Sequence, residues 1–165
     1  MIYHAKRNEK DYYPIGCLWW GDDDTEMWYL EKDHLMDEEI DERTIIYCGY
    51  DLDEDEKFLS EEVPENTETL HPDHNTYLDF FIHFTKWINS PWSYGCESYT
   101  VHRVLTSSGE LDENCEWVCE YTVVGYDEIT STLYGYGHTK EEAIARIDKL
   151  FDYLQNKYNP EKVSF

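Results

Sequence analysis

Cys115-Glu116-Trp117-Val118-Cys119-Glu120-Tyr121-Thr122-Val123 alternates without interruption. Cys115, Trp117, Cys119, Tyr121 and Val123 fall on one side, the period of two that a strand imposes on its side chains. Upstream, Tyr99, Val101, Arg103 and Leu105 alternate in the same way, and Ser107-Ser108-Gly109 begins the turn between the two runs. Downstream, Gly125 to Asp127 turns the chain and Ile129 to Tyr136 reads as a third strand, which Gly135-Tyr136-Gly137 is expected to break. Thr139-Lys140-Glu141-Glu142 then has the spacing of a capping box. The Thr139 hydroxyl accepts from the Glu142 backbone N–H, and the Glu142 side chain reaches back. Ala143, Ile147, Leu150, Phe151, Leu154 and Tyr158 form the apolar stripe of the helix that follows, ending near Asn159-Pro160. A three-stranded antiparallel meander covered by this helix buries both apolar faces. The fold class expected is α+β.

Working back from the meander, Tyr77, Phe80, Phe81, Phe84 and Ile88 repeat at helical spacing. Pro72, Asp73 and Asn75 are start signals and Asn89-Ser90-Pro91 is a stop, so one central helix is expected here. Residues 1 to 20 read as an N-terminal hairpin or a pair of short strands, punctuated by Pro14 and Gly16. Cys17-Leu18-Trp19-Trp20 pairs with Met27-Trp28-Tyr29-Leu30, and Asp22-Asp23-Asp24 forms the loop between them. Leu35, Met36 and Ile40 give Asp33 to Arg43 one narrow apolar stripe, which predicts a short helix. Thr44-Ile45-Ile46-Tyr47-Cys48 is β-branched and reads as a strand ended by Gly49. Asp51 to Glu65 is expected as a surface loop or short helix. A chain of 165 residues without internal repeats or a low-complexity linker is assigned as one domain, 1–165.

The net charge is −24, yet 41% of residues are hydrophobic and 16% aromatic, which is enough apolar material for a core. The charge is uneven. Residues 22–65 hold 19 Asp and Glu against Lys32, Arg43 and Lys57, a net of −16, and leave −8 for the other 121 residues. This sign argues against direct binding to nucleic acid or to an anionic bilayer. No run of 18 apolar residues and no apolar leader is seen, so a cytoplasmic protein is expected. Cys17, Cys48, Cys96, Cys115 and Cys119 are odd in number and lack a Cys-x-x-Cys spacing, which favours reduced thiols. Cys115 and Cys119 are expected as small buried hydrophobes.

Candidate chemistry is sparse. His71-Pro72-Asp73-His74 brings two imidazoles and a carboxylate together, with Cys48 or His34 as a third ligand, but ordinary loop histidines are the preferred reading. Asp51, Asp53 and Asp55 with Glu62 in twelfth place partly match a calcium loop. Glu56 stands where the sharp turn needs glycine, so no tight calcium site is expected. No nucleophile elbow, phosphate loop or zinc-protease helix occurs. Neither an enzyme nor a cofactor is expected.

The acidic block therefore carries the functional expectation. Asp22, Asp23, Asp24, Asp37, Glu38, Glu39, Asp41, Glu42, Asp51, Asp53, Glu54, Asp55 and Glu56 are the candidate partner-binding residues. If Asp37 to Glu42 is helical, its five carboxylates span about 7.5 Å, a length over which duplex DNA places about four charges. Clustering raises self-repulsion, and a cationic partner relieves it. Trp28, Tyr29, Tyr47 and Tyr50 serve either as aromatic anchors or as core. The expectation is an inhibitor that mimics nucleic-acid charge and blocks the channel of a basic nuclease, effector complex or repressor, as anti-restriction and anti-CRISPR proteins do. The alternative is an interaction module for another basic protein.

Overall fold

The computed structural model describes residues 4–19, 24–51, 63, 65, 67–69, 77, 80, 98–106, 108–124 and 130–158. Within them, β1 (Ala5–Arg7), β2 (Lys10–Trp19), β3 (Asp24–Glu31), β4 (Ile45–Asp51), β5 (Glu68–Thr69), β6 (Ser98–Arg103), β7 (Trp117–Val124) and β8 (Thr130–Gly137) precede a C-terminal helix, Lys140–Tyr158. The strands form one antiparallel sheet in the order β5-β4-β3-β2-β8-β7-β6, with β1 also on β2. The α+β expectation holds. The expected meander is β6-β7-β8, and its outer strand β8 joins the N-terminal strands through β2.

β2 organises the sheet. Asn8 and Glu9 both have positive φ (52° and 65°), the backbone of a two-residue hairpin turn, and this folds β1 back onto β2. Tyr12 pairs with Ala5 on one edge and Glu31 of β3 on the other, while Gly16 pairs with Leu133 of β8 and Trp28 of β3. β1 and β8 therefore share one edge of β2. Between them lies Pro14, which has no N–H to give a ladder and sits at the register shift before Gly16. The Tyr136 hydroxyl donates to the Pro14 carbonyl at this break.

The helix lies on β7 and β8. Ala143, Ile147 and Leu150 are buried, as the stripe predicts, and Phe151, Leu154 and Tyr158 belong to it with side chains outside the described residues. Its start is the expected capping box, with Glu142 N–H donating to Thr139 Oγ1 at 3.1 Å and Glu142 Oε2 accepting from the His138 N–H at 2.9 Å. Gly135 does not break the strand: β8 runs through it and ends at Gly137, and glycine at both positions lets the helix approach the sheet. A Cβ on Gly137 would stand 2.6 Å from the Ala143 nitrogen and from Glu142 Cβ, and one on Gly135 would stand 2.9 Å from the Ala143 carbonyl oxygen. Gly137→Ala is accordingly expected to cost about 1–3 kcal/mol, the usual penalty of overpacking. Urea unfolding measures it, and a loss under about 0.5 kcal/mol would mean that the helix sits farther from the strand.

Other boundaries also differ. Asp33 to Arg43 is not a helix. Two single 3-10 turns, Lys32–His34 and Glu42–Thr44, flank an irregular stretch. Leu35 and Ile40 are nonetheless buried, so the apolar spacing reported burial rather than conformation. β4 continues through Gly49 to Asp51, which places Asp51 on a strand rather than in a loop. β6 ends at Arg103. Leu105 instead bridges Leu111 in a smaller hairpin whose tip is Gly109, with φ +85°. Cys115 precedes β7 and Cys119 lies in it, both fully buried. Tyr77 and Phe80 are helical and buried against Trp28, whereas the other positions of the expected central helix lie outside the described residues. No helix among the described residues is long and apolar enough to cross a membrane.

Candidate functional site: an acidic sheet edge

The described part of residues 22–65 supplies β3 and β4, which pair with each other in the sheet, and the segment that connects them. The C-terminal helix is balanced: Lys140, Arg146, Lys149 and Lys157 match Glu141, Glu142, Asp148 and Asp152. The topology divides the candidate residues between the two ends of the β3–β4 hairpin. At one end the register sets Asp24 opposite Asp51. Asp22, Asp23, Asp53, Glu54, Asp55 and Glu56 are contiguous with this end in sequence but lie outside the described residues. At the other end, the connection from β3 to β4 carries Asp37, Glu38, Glu39, Asp41 and Glu42. The seven residues of β4 separate the two ends by roughly 20 Å at a strand's rise per residue.

The connecting turn divides further. Asp37, Glu38 and Glu39 are exposed. Asp41 is exposed too, but it is occupied. Its carboxylate accepts from the Arg43 backbone N–H and from Arg43 Nε and Nη2, all at 3.0 Å, and so caps the second 3-10 turn. These bonds raise the pKa of Arg43 and neutralise one acidic charge. Glu42 is half-buried. The triplet Asp37-Glu38-Glu39 is thus the part of this cluster that faces solvent. Asp37 Oδ2 lies 3.1 Å from His34 Nδ1.

Two arginines from outside the block hold its backbone. Arg146 of the C-terminal helix donates to the Leu35 carbonyl at 3.4 Å and to the Asp37 carbonyl. Burial lowers the pKa of this guanidinium, and the nearby Asp37 and Glu38 carboxylates push it back up. Arg7 of β1 donates to the Glu65 carbonyl at 2.9 Å and to the Thr67 hydroxyl, while the Val63 N–H donates to the Lys6 carbonyl at 2.9 Å. Because these bonds reach carbonyl and hydroxyl rather than carboxylate oxygens, the two arginines fix the acidic segments without forming ion pairs with Glu38, Glu39 or Glu65. Neither arginine was singled out by the sequence. Arg146 sits between Ala143 and Ile147 of the buried stripe, and nothing local marks it as a brace.

The proposed aromatic anchors resolve mostly as core. Trp28 and Tyr29 are 1% and 0% exposed. Tyr47 is half-buried and its hydroxyl donates to Glu26 Oε1 at 2.6 Å. Tyr50 lies in β4, with its side chain outside the described residues. Trp19, which ends β2 three residues before Asp22, is 37% exposed and is the one large aromatic on the surface among the described residues.

Most of the metal candidates lie outside the described residues. His71 and His74 lie outside the described residues, Cys48 is buried within β4, and His34 is engaged with Asp37. Of the calcium-loop positions only Asp51 is described. No three His, Cys, Asp or Glu side chains that could hold a metal ion come together among the described residues. Burial pushes the Cys48 thiol up to about 12 and the Cys119 thiol up to about 11, so neither is an activated nucleophile.

No protein family, curated protein or solved structure matches the chain.

Proposed function

We propose that this protein is an acidic inhibitor that occupies the nucleic-acid channel of a basic partner, presenting carboxylates where phosphates would lie. One observation carries the reading. Among the described residues, Asp24 and Asp51 stand at one end of the β3–β4 hairpin and Asp37, Glu38 and Glu39 lie in the connection at its other end, about 20 Å away, and the bonds from Arg7 and Arg146 reach carbonyl and hydroxyl oxygens rather than carboxylates. That separation is about the rise of six base pairs, at roughly 3.4 Å each. A solubilising surface needs neither clustering nor bracing. Exposed Trp19, close in sequence to Asp22, supplies the kind of rigid aromatic that anchors protein interfaces.

The second reading is an interaction module for a basic protein that does not bind nucleic acid through the same surface. The irregular backbone of Asp37 to Glu39 favours it, because that stretch lacks the helical spacing on which a close match to phosphate density rests. Affinity capture from a nuclease-treated lysate, followed by competition, separates the two. The first reading expects a nucleic-acid-binding protein that is displaced by its own DNA or RNA. A ternary complex of this chain, its partner and that nucleic acid would exclude mimicry and leave the module.

A further inference from the structure

A groove of about 240 Å³ opens between the C-terminal helix and the connection from β3 to β4. Met36 of the connection, the end of β8 at Gly137, and Glu142, Ala145, Arg146 and Lys149 of the helix line it. Glu142, Arg146 and Lys149 are spaced four and then three residues apart, so they share one face of the helix. Met36 and Ala145 make the apolar part of the wall. The charged groups are not equally committed. Glu142 Oε2 accepts from the His138 N–H at 2.9 Å. Arg146 is half-buried, and its Nη2 donates to the Leu35 and Asp37 carbonyls. A guanidinium has five N–H donors. The remaining donors, on Nε and Nη1, make no hydrogen bond among the described residues. Lys149 is exposed and makes no ion pair among the described residues. The groove thus joins two cations with unused donors to an apolar wall.

We infer that this groove binds a small organic carboxylate, with the carboxyl group between Arg146 and Lys149 and the apolar body against Met36 and Ala145. Hydrogen bonds from charged donors to a carboxylate are among the stronger ones a protein makes. The charge of the ligand is limited by its surroundings. Asp37 and Glu38 lie close enough to act on the Arg146 guanidinium. A phosphoryl group, at about −1.5 to −2, meets more repulsion there than a carboxylate with a single charge. The size is limited too, since pockets for drug-sized ligands hold about 300–1,000 Å³. The site stands whether or not the acidic edge meets a basic partner. It is nevertheless coupled to the backbone of that edge, because the guanidinium that receives the ligand also holds the Leu35 and Asp37 carbonyls. Occupancy therefore steadies the segment that carries Asp37, Glu38 and Glu39.

Benzoate is the probe, with benzamide as its neutral counterpart and inorganic phosphate as a bare anion, all at one ionic strength. NMR of the Arg146 Nε–H and the Met36 methyl follows the titrations. Benzoate should shift both signals saturably, with a dissociation constant below about 1 mM. Benzamide and phosphate should bind at least about tenfold more weakly. Lys149→Gln should lose about tenfold in benzoate affinity, and Ala145→Leu, which fills the groove, should abolish binding. Both positions are exposed, so both variants are expected to fold. The Asp37 N–H donates to the His34 carbonyl at 3.2 Å, and its hydrogen exchange should slow several-fold at saturation. Absence of a saturable shift, an equal response to benzamide or phosphate, or benzoate binding that survives either substitution unchanged overturns the site. Benzoate binding that leaves the exchange of Asp37 unaltered overturns the coupling.

Discussion

Trp28→Ala should lower the unfolding free energy by about 3–5 kcal/mol, the range for deleting a large aromatic from a packed core. Trp28 is 1% exposed and lies at the centre of an aromatic group. Its ring centroid is 4.7 Å from Phe80, 5.6 Å from Tyr47 and 6.2 Å from Tyr77, and Tyr77 and Phe80 stack at 5.7 Å. The sheet is shaped to admit this group. A Cβ on Gly16 would come within 2.8 Å of the Phe80 ring, so glycine leaves the room that Phe80 fills. Truncation to alanine would leave a cavity bounded by rings whose own positions depend on Trp28, and such a site collapses poorly. Chemical denaturation followed by Tyr and Trp fluorescence measures the change. A residue acting as an interface anchor would behave in the opposite way, with little loss of stability and a large loss of affinity for a partner. A stability loss below about 1 kcal/mol would return Trp28 to that role.

The same residue shows how far the sequence could be read. The aromatic, apolar run Met27-Trp28-Tyr29-Leu30 reads as a strand, and β3 is there. Such a run cannot say which neighbours cover each face, because that depends on pairings distant in sequence. The local signals worked where one segment contains its own partners, as in the alternation of β7, the capping box at Thr139 and the stripe of Ala143, Ile147 and Leu150. They failed where two segments had to meet. Gly135 and Gly137 read as breakers, yet they are the contact points of strand and helix. The pairing of β2 with β8, which fuses the N-terminal strands to the meander, leaves no mark in either segment. Asp33 to Arg43 failed for a local reason. Asp41 binds the Arg43 N–H and starts a new turn, and Asp37-Glu38-Glu39 places three like charges side by side, so helix continuity has little support there. The magnitude of the acidic block was legible, but its division between two ends of a hairpin was not.

That division makes a sharper test of the acidic edge possible. Asp37→Asn, Glu38→Gln and Glu39→Gln together should weaken binding to the captured partner by roughly tenfold or more, about 1.4 kcal/mol, without unfolding the protein. These three side chains are exposed, and exposed substitutions usually change stability by less than about 0.5 kcal/mol. Asp41 and Glu42 are best left in place. Asp41→Asn would remove the cap on the Arg43 N–H and release Arg43, mixing a structural effect into the result. The kinetics carry the mechanism. If the triplet steers a basic partner, its loss should act on the association rate and flatten the dependence of that rate on salt, because screening of exposed charges tightens from about 30 Å at 0.01 M to about 10 Å at 0.1 M. If the triplet makes close contacts instead, dissociation should accelerate and the salt dependence of association should persist. A solubilising role predicts neither. The triple variant would then bind as the wild type does and differ only in its tendency to aggregate at low net charge, an outcome that clears this end of the hairpin of any part in recognition.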